Sequence, residues 1–387
     1  ELRHLMKFTG RYFLMNCKKE VNIALDALIK NNIIKKNKMA VDIGTYAARV
    51  LEIHYAAKKV TVTASKEINS KDYTDGGEIS FSLLAAKIDA EMSGQGRGDV
   101  MVSVPGDLCE NKIITVKNKK ESEIPKIIKK DYMTFGRANP VTHVVDYAFL
   151  GKREEEGDTV FYYLVSAIQK SVAGEIVSAF EKHKLKVKTI VSSVYNQICL
   201  SELYFDEYEH LNRLFVDFGA NSTRITAFSE GMPVYTRSIE TGFNSYATGI
   251  FDTDEEAGKP EIVRALVNVG EHTDLAPDII GGYFNTLDFN VYKKCIEETG
   301  NYFATDISRV IDLCATNDFS VSKIYCTGYV VKGLEKRIAD KCGVDVEAAV
   351  FNSADEKDGK DYTLEIDDLY MNEGFSNAVG LGIYPML

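Results

Sequence analysis

Met39-Ala40-Val41-Asp42-Ile43-Gly44-Thr45-Tyr46-Ala47-Ala48-Arg49-Val50-Leu51-Glu52-Ile53 decides the fold, because the pattern recurs. Its counterpart is Leu214-Phe215-Val216-Asp217-Phe218-Gly219-Ala220-Asn221-Ser222-Thr223-Arg224-Ile225-Thr226-Ala227-Phe228. Each copy is an apolar strand ending in Asp-x-Gly, a turn of small residues and a second strand that opens on Arg. The Asp-to-Arg offset is seven residues in both. A third strand is expected after each, at Val60-Thr61-Val62-Thr63 and at Pro233-Val234-Tyr235-Thr236. A duplicated β-hairpin unit predicts two similar half-molecules whose turns can face each other across a cleft, an arrangement that suits a Mg-nucleotide.

The chemistry expected of such a turn is simple. Gly44 and Gly219 let the backbone take positive φ and approach a ligand closely. Successive N–H groups in a tight turn form a concave nest for anionic oxygens. Asp42 and Asp217 are the candidate metal residues, holding the water shell of Mg²⁺. Taken singly, each pattern also suits an ordinary hairpin in which Asp-Gly merely makes the turn. The matched pair favours the phosphate reading.

The whole chain sets bounds on function. Its 387 residues allow two to three domains, and a 45% hydrophobic content is that of a folded protein. No apolar run approaches the ~20 residues that span a bilayer, and the first residues lack the apolar core of a secretory signal. Seven scattered cysteines without a Cys-x-x-Cys pair favour reduced thiols in the cytoplasm over a disulfide framework. The six His residues form no metal-binding cluster, so no transition metal is expected. A net charge of −11 argues against nucleic acid as the main partner. That charge is uneven: residues 1–38 carry nine Lys and Arg against three Asp and Glu, a net +6, which leaves −17 on the remainder. This basic head reads either as a helix packed on the body, with Val21, Ala24, Leu25, Leu28 and Ile29 at helical spacing, or as an arm for a membrane or partner.

Between the two meanders lie a helix at 80–93, a glycine-rich connection, strand Val100–Val104 ended by Pro105-Gly106, and alternating strand and helix pieces. Strands are expected at Ile113–Val116, Thr142–Leu150 and Val160–Ala167, and a helix from Ser171 to His183. After the second meander, residues 256–318 read as mainly helical. A strand at Lys323–Cys326 then runs into Thr327-Gly328 and a helix carrying Val331, Leu334 and Ile338. A last helix starts near Gly374, and residues 353–361 are a charged loop by composition.

In this order the chain resembles the actin-like ATPase superfamily and, within it, the PilM family of type IV pilus assembly proteins. The discriminating segments are Val102-Ser103-Val104-Pro105-Gly106, Asp146-Tyr147-Ala148-Phe149-Leu150, Val165-Ser166-Ala167-Ile168-Gln169-Lys170 and Asn377-Ala378-Val379-Gly380-Leu381-Gly382. The resemblance implies an α/β, actin-like (ribonuclease H-like) two-domain fold with an α+β insert subdomain and a five-stranded core sheet in each domain. The corresponding division is 1–38 as extension, 39–98 and 185–210 as the first subdomain, and 99–184 as the insert. The second domain takes 211–250 and 319–370 with a helical subdomain at 251–318, and 371–387 closes on the first.

The resemblance further implies ATP or ADP with Mg²⁺ between the domains. Asp42, Gly44, Thr45 and Tyr46 would line the first phosphate turn, and Asp217, Gly219, Ala220, Asn221 and Ser222 the second. Gly328 would lie beneath the adenosine, and Glu261 and Arg264 near the ribose, although the last two equally suit a solvent-facing helical ion pair. Several residues depart from the family. Thr327-Gly328-Tyr329-Val330 stands for Thr-Gly-Gly-Gly, and Ser192 stands where an Asp usually opens the first connecting helix. Since phosphoryl transfer depends on positioning a water and stabilising charge, the expectation is a nucleotide-binding or nucleotide-free scaffold with weak or absent hydrolysis. As implied partner it has the cytoplasmic tail of a PilN-like inner-membrane subunit, with possible self-association, and its expected place is cytoplasmic at the inner face of the membrane. Two alternatives stand beside this: a divergent FtsA-like division protein, and a small-molecule kinase of the same fold.

Overall fold

The structure, a computed structural model, describes residues 36–56, 59–92, 99–117, 123–135, 139, 141–201, 211–245, 289–316, 319–331, 333–349, 363–365 and 375–383. The basic head up to residue 35, the stretch 251–288 and the loop 353–361 therefore lie outside the described residues. The chain divides into two compact units, Glu1–Tyr204 with Met232–Val234 and Phe351–Leu387, and Phe205–Gly231 with Tyr235–Val350.

In the first unit, β1 (Lys36–Ile43), β2 (Ala47–Ala56) and β3 (Lys59–Asn69) form the expected antiparallel meander. After a short ribbon of β4 (Thr74–Asp75) and β5 (Glu78–Ile79), β6 (Asp99–Val104) joins β1 in parallel, and β10 (Lys186–Ser192) joins β6 in parallel. Val41, Val100, Val102 and Val191 are fully buried along these strands. A parallel sheet covered on both faces needs such unbroken apolar runs. Helix α1 (Phe81–Glu91) is capped by Ser80, whose Oγ accepts from the Leu83 N–H at 3.4 Å. It buries Phe81, Leu84, Ala85 and Ile88, as their spacing predicts.

The insert is a three-stranded antiparallel sheet of order β7-β9-β8, with β7 at Cys109–Lys117, β8 at His143–Glu155 and β9 at Asp158–Gln169. Helix α2 (Ile124–Phe135) covers one face, and Ile124 and Ile128 pack there with Ile114, Val116, Tyr163, Val165 and Ala167. β8 runs five residues beyond its expected end. Glu156 and Gly157, at φ 52° and 88°, make the two-residue hairpin turn that matches strand twist, so the ladder continues down to Glu155–Asp158. Helix α3 (Lys170–Lys182) then leads back to β10.

Helix α4 (Ser193–Ser201) follows β10 directly and packs against the last helix of the chain, α7 (Ser376–Ile383), which also lies on β1 and β2. Gly380 permits this approach, since a Cβ there would stand 2.3 Å from the Asn196 carbonyl oxygen.

The second unit repeats the plan. β11 (Arg213–Phe218), β12 (Thr223–Ser229) and β13 (Met232–Ile239) are adjacent, and β14 (Lys323–Gly328) and β15 (Asp345–Ala348) extend the sheet in parallel from β11. Strand order is β10-β6-β1-β2-β3 in the first unit and β15-β14-β11-β12-β13 in the second, so the duplication seen in the hairpins extends through five strands. Helix α5 (Phe289–Ala315) sets Phe303 edge-on against Phe218 at 5.2 Å, and α6 (Leu334–Cys342) packs on α5 and ends at left-handed Gly343.

The first sheet carries a sixth strand, β16 (Thr363–Glu365), paired in parallel with β3. The sequence division kept residues up to 370 in the second domain. Instead the chain has returned to the first unit by then, because the open edge of β3 supplies main-chain partners that no local pattern announces.

Candidate nucleotide-binding turns

Both Asp-x-Gly turns are built the same way. In the first, the Gly44 N–H donates to the Ala47 carbonyl at 3.1 Å, and in the second the Gly219 N–H donates to the Ser222 carbonyl at 3.0 Å. A Cβ at either glycine would stand 2.6 Å from that carbonyl oxygen. Neither glycine is among the positive-φ residues. This corrects the expectation from backbone torsion: glycine is required here by the closeness of the turn's own carbonyl.

Each turn is then held by the segment that follows its third strand. In the first unit the Ser70 N–H donates to the Tyr46 carbonyl at 2.9 Å, and the fully buried Tyr73 donates its hydroxyl to the Gly44 carbonyl at 2.6 Å. In the second unit Phe243 N–H donates to the Gly219 carbonyl at 2.9 Å and Asn244 N–H to the Ala220 carbonyl at 2.8 Å. The Asn244 side-chain amide donates to Asn221 Oδ1 at 2.6 Å, and Thr223 Oγ1 donates to the Thr241 carbonyl at 2.8 Å. Gly242 is hemmed in by the Ala220 carbonyl oxygen, 2.3 Å from where a Cβ would sit. The carbonyls of Gly44, Tyr46, Gly219 and Ala220 are thus held by protein donors, and the N–H groups of such turns form nests for anions. Sequence reading passed over Tyr73, Thr241, Gly242 and Asn244. The signal available was Thr241-Gly242, a small-residue pair placed after the second meander as Ser70 is after the first.

The seven-residue offset has a direct meaning. Asp42 lies opposite Arg49 in the β1–β2 ladder, and Asp217 opposite Arg224 in the β11–β12 ladder. Arg224 Nη2 donates to Asp217 Oδ2 at 2.5 Å, and Thr327 Oγ1 donates to Oδ1 at 3.2 Å. Asp217 is 2% exposed. Arg49 reaches Glu67 at 3.3 Å and lies over the Phe375 ring, and Asp42 is buried beside it in register. Mg²⁺ takes oxygen ligands and keeps several waters. At 2% exposure and paired with a guanidinium, Asp217 is closed to the water shell of a divalent cation, so this carboxylate does not fit a magnesium ligand. Among the described residues no cluster of three or more His, Cys, Asp or Glu could hold a metal ion.

The remaining site residues fall as follows. Thr45, Gly44 and Ser222 are half-buried and Asn221 is exposed, whereas Tyr46 and Ala220 are core residues at 5% exposure. Gly328 ends β14 at φ 80°, opposite Phe218, and the next N–H, Tyr329, donates to the Phe218 carbonyl at 2.8 Å. A Cβ at 328 would stand 2.4 Å from that oxygen. Tyr329 is half-buried with its ring 6.0 Å from Phe243. Glu261 and Arg264 lie outside the described residues.

Ser192 ends β10, and its Oγ accepts from the Tyr195 N–H at 3.4 Å, the role of an N-cap for α4. The first turn of α4 carries no acidic residue. Ser103, opposite Asp42 on β6, and Ser193 are buried hydroxyls without a protein hydrogen-bond partner.

The chain matches no family model and no curated protein in sequence. Solved structures match it in shape. A PilM–PilN type IV pilus biogenesis complex superposes with a TM-score of 0.69 at 15% identity, covering 90% of this chain and 98% of that one. The ethanolamine utilization protein EutJ of Carboxydothermus hydrogenoformans gives 0.47 at 12% identity, covering 96% and 98%. A Bacteroides thetaiotaomicron protein with an actin-like ATPase fold gives 0.43 at 9% identity, covering 82% and 92%. Two sheets of one strand order, each opened by an Asp-x-Gly meander, and a PilM-like superposition over nine-tenths of the chain place it on the actin-like fold.

Proposed function

We propose that this chain is a nucleotide-binding scaffold of a type IV pilus or related inner-membrane assembly platform, which docks the cytoplasmic tail of a PilN-like membrane subunit. The observation that carries this reading is the superposition on the PilM–PilN complex along 98% of that chain. Each Asp-x-Gly turn offers main-chain N–H groups on which a phosphate of ATP or ADP would rest, and each is buttressed through its own carbonyls, those of Gly44 and Tyr46 in the first and of Gly219 and Ala220 in the second. Thr45, Asn221 and Ser222 are the side chains within these turns that retain exposure. Glu261 and Arg264 would approach the ribose and Gly328 the base.

Hydrolysis would be slow or absent. A general base for water must sit within hydrogen-bond reach of it. At the head of α4 stand Ser192, occupied as a cap, and Ser193, with no carboxylate in the first turn. A hydroxyl holds a phosphate or a water in place but takes no proton from it at neutral pH. No described helix is long and apolar enough to cross a membrane.

A tail bound as an extended peptide needs a groove with a few apolar pockets and main-chain hydrogen bonds. Fluorescence anisotropy with a labelled cytoplasmic-tail peptide of a PilN-like protein tests the reading. Saturable binding, competed by unlabelled peptide and not by a scrambled one, is expected. Equal binding of both peptides, or of neither, would remove the PilN-like partner from the account.

A further inference from the structure

Asp217 is the residue on which the expected metal chemistry of the second turn depends, and its surroundings are those of a structural anchor. Each of its oxygens accepts from a protein donor: Oδ2 from the Arg224 guanidinium at 2.5 Å and Oδ1 from the Thr327 hydroxyl at 3.2 Å. The residue is 2% exposed, and the Arg224 side chain is 11% exposed. Gly328 closes the remaining side, since a Cβ there would stand 2.8 Å from Oδ1. A magnesium water shell would have to displace a charge-assisted hydrogen bond, the strong kind, and bring a divalent cation beside a buried guanidinium. Like charges in a low-dielectric setting repel strongly. The turn meanwhile is equipped to take an anion unaided. Its main-chain carbonyls at Gly219 and Ala220 accept from the N–H groups of Phe243 and Asn244, and the Asn244 side-chain amide donates to Asn221 Oδ1, which turns the exposed Asn221 Nδ2 toward a ligand.

We propose that the second turn, Gly219–Ser222, binds nucleotide phosphate without a divalent ion, and that Arg224 and Thr327 hold Asp217 as the internal anchor of its hairpin instead of a metal residue. This inference rests on the nucleotide reading above. It separates the two halves of the expected site: phosphate recognition belongs to main-chain N–H groups and Asn221, positioned by Asn244, and charge compensation of Asp217 is internal to the β11–β12 ladder.

The test is the rise in melting temperature produced by saturating ADP, measured with Mg²⁺ and with EDTA, in protein freed of co-purified nucleotide. The decisive quantity is the part of the rise that needs Mg²⁺, compared between the wild type and Asp217→Asn. Equal Mg²⁺-dependent parts in the two proteins are expected, with a lower starting melting temperature for the variant. A Mg²⁺-dependent rise in the wild type that disappears in Asp217→Asn would overturn the inference while leaving nucleotide binding intact. No rise with ADP in either medium would defeat the nucleotide reading and this inference with it. Should Asp217→Asn fail to fold, Arg224→Gln carries the test. Freed of its guanidinium, Asp217 should then let Mg²⁺ alone raise the melting temperature by more than it does in the wild type. A rise no larger than that of the wild type would show that Arg224 is not what keeps the metal away.

Discussion

Removing one member of the Asp217–Arg224 pair should be far more damaging than removing both. The two groups meet at 2.5 Å, and Asp217 is 2% exposed. Asp217→Asn keeps the shape of the side chain but leaves a buried guanidinium without its counter-charge. Arg224→Met leaves a buried carboxylate facing the Thr327 hydroxyl at 3.2 Å without its guanidinium. Breaking a buried pair by deleting one partner costs about 3–5 kcal/mol. Replacing both by well-packed uncharged residues is often close to neutral, because the desolvation cost of both ions disappears with their attraction. With single losses of about 3–5 kcal/mol each and a near-neutral double variant, the coupling energy of the double-mutant cycle should exceed the ~0.5–3 kcal/mol usual for contacting residues. Urea unfolding followed by circular dichroism on the wild type, both single variants and the double variant gives the cycle. Single losses below about 1 kcal/mol, or a double variant that loses the sum of the singles, would refute the assignment of a buried, mutually dependent pair.

Other expectations follow from single contacts. Gly219→Ala and Gly328→Ala place a Cβ 2.6 Å and 2.4 Å from backbone carbonyl oxygens. Each should destabilise by roughly 1–3 kcal/mol of overpacking strain, read as a lower melting temperature, while Gly174→Ala, which meets nothing within 4 Å, should not. Tyr73→Phe strips the Gly44 carbonyl of its 2.6 Å donor and should cost about 1–3 kcal/mol for the acceptor left buried. Ser192→Ala should cost about 1 kcal/mol for the lost cap on α4, and Ser192→Asp, which can cap equally well, should restore it. Burial raises the Asp146 carboxyl from 3.8 to about 7. With the folded pKa above the unfolded one, its stabilising proton is fully in place below pH ~4 and lost as pH climbs to about 7. The stability lost over that window is at most ~4 kcal/mol. Asp146→Asn should therefore gain on the wild type as pH rises from 4 to 8; parallel pH profiles for the two proteins would contradict the assignment.

Much of the architecture was legible because it is carried by local pattern. The two meanders announce themselves through unbroken apolar strands and a repeated turn, and the helix at Phe81–Glu91 through four apolar residues on one face. What escaped reading is what depends on distant partners. β16 is three residues long and exists because β3 has an open edge to pair with. The seven-residue offset was visible, but only the antiparallel register turns it into a pair of facing residues, and at Asp217 into an ion pair. A short motif carries the types of its residues and not which of them are already spoken for. The buttresses at Tyr73 and Asn244 likewise lie 29 and 23 residues from the turn residues they hold, beyond any local periodicity. The glycines were read correctly as necessary and for the wrong reason, since sequence gives no access to the carbonyl that crowds them.

The most direct measurement is a crystal structure of the protein soaked with ADP. The account predicts diphosphate oxygens within hydrogen-bond distance of main-chain N–H groups in the turn at Gly219–Ser222, with Asp217 still bound to Arg224. A diphosphate seated elsewhere on the chain, or a metal ion bound to Asp217 with Arg224 displaced, would contradict it.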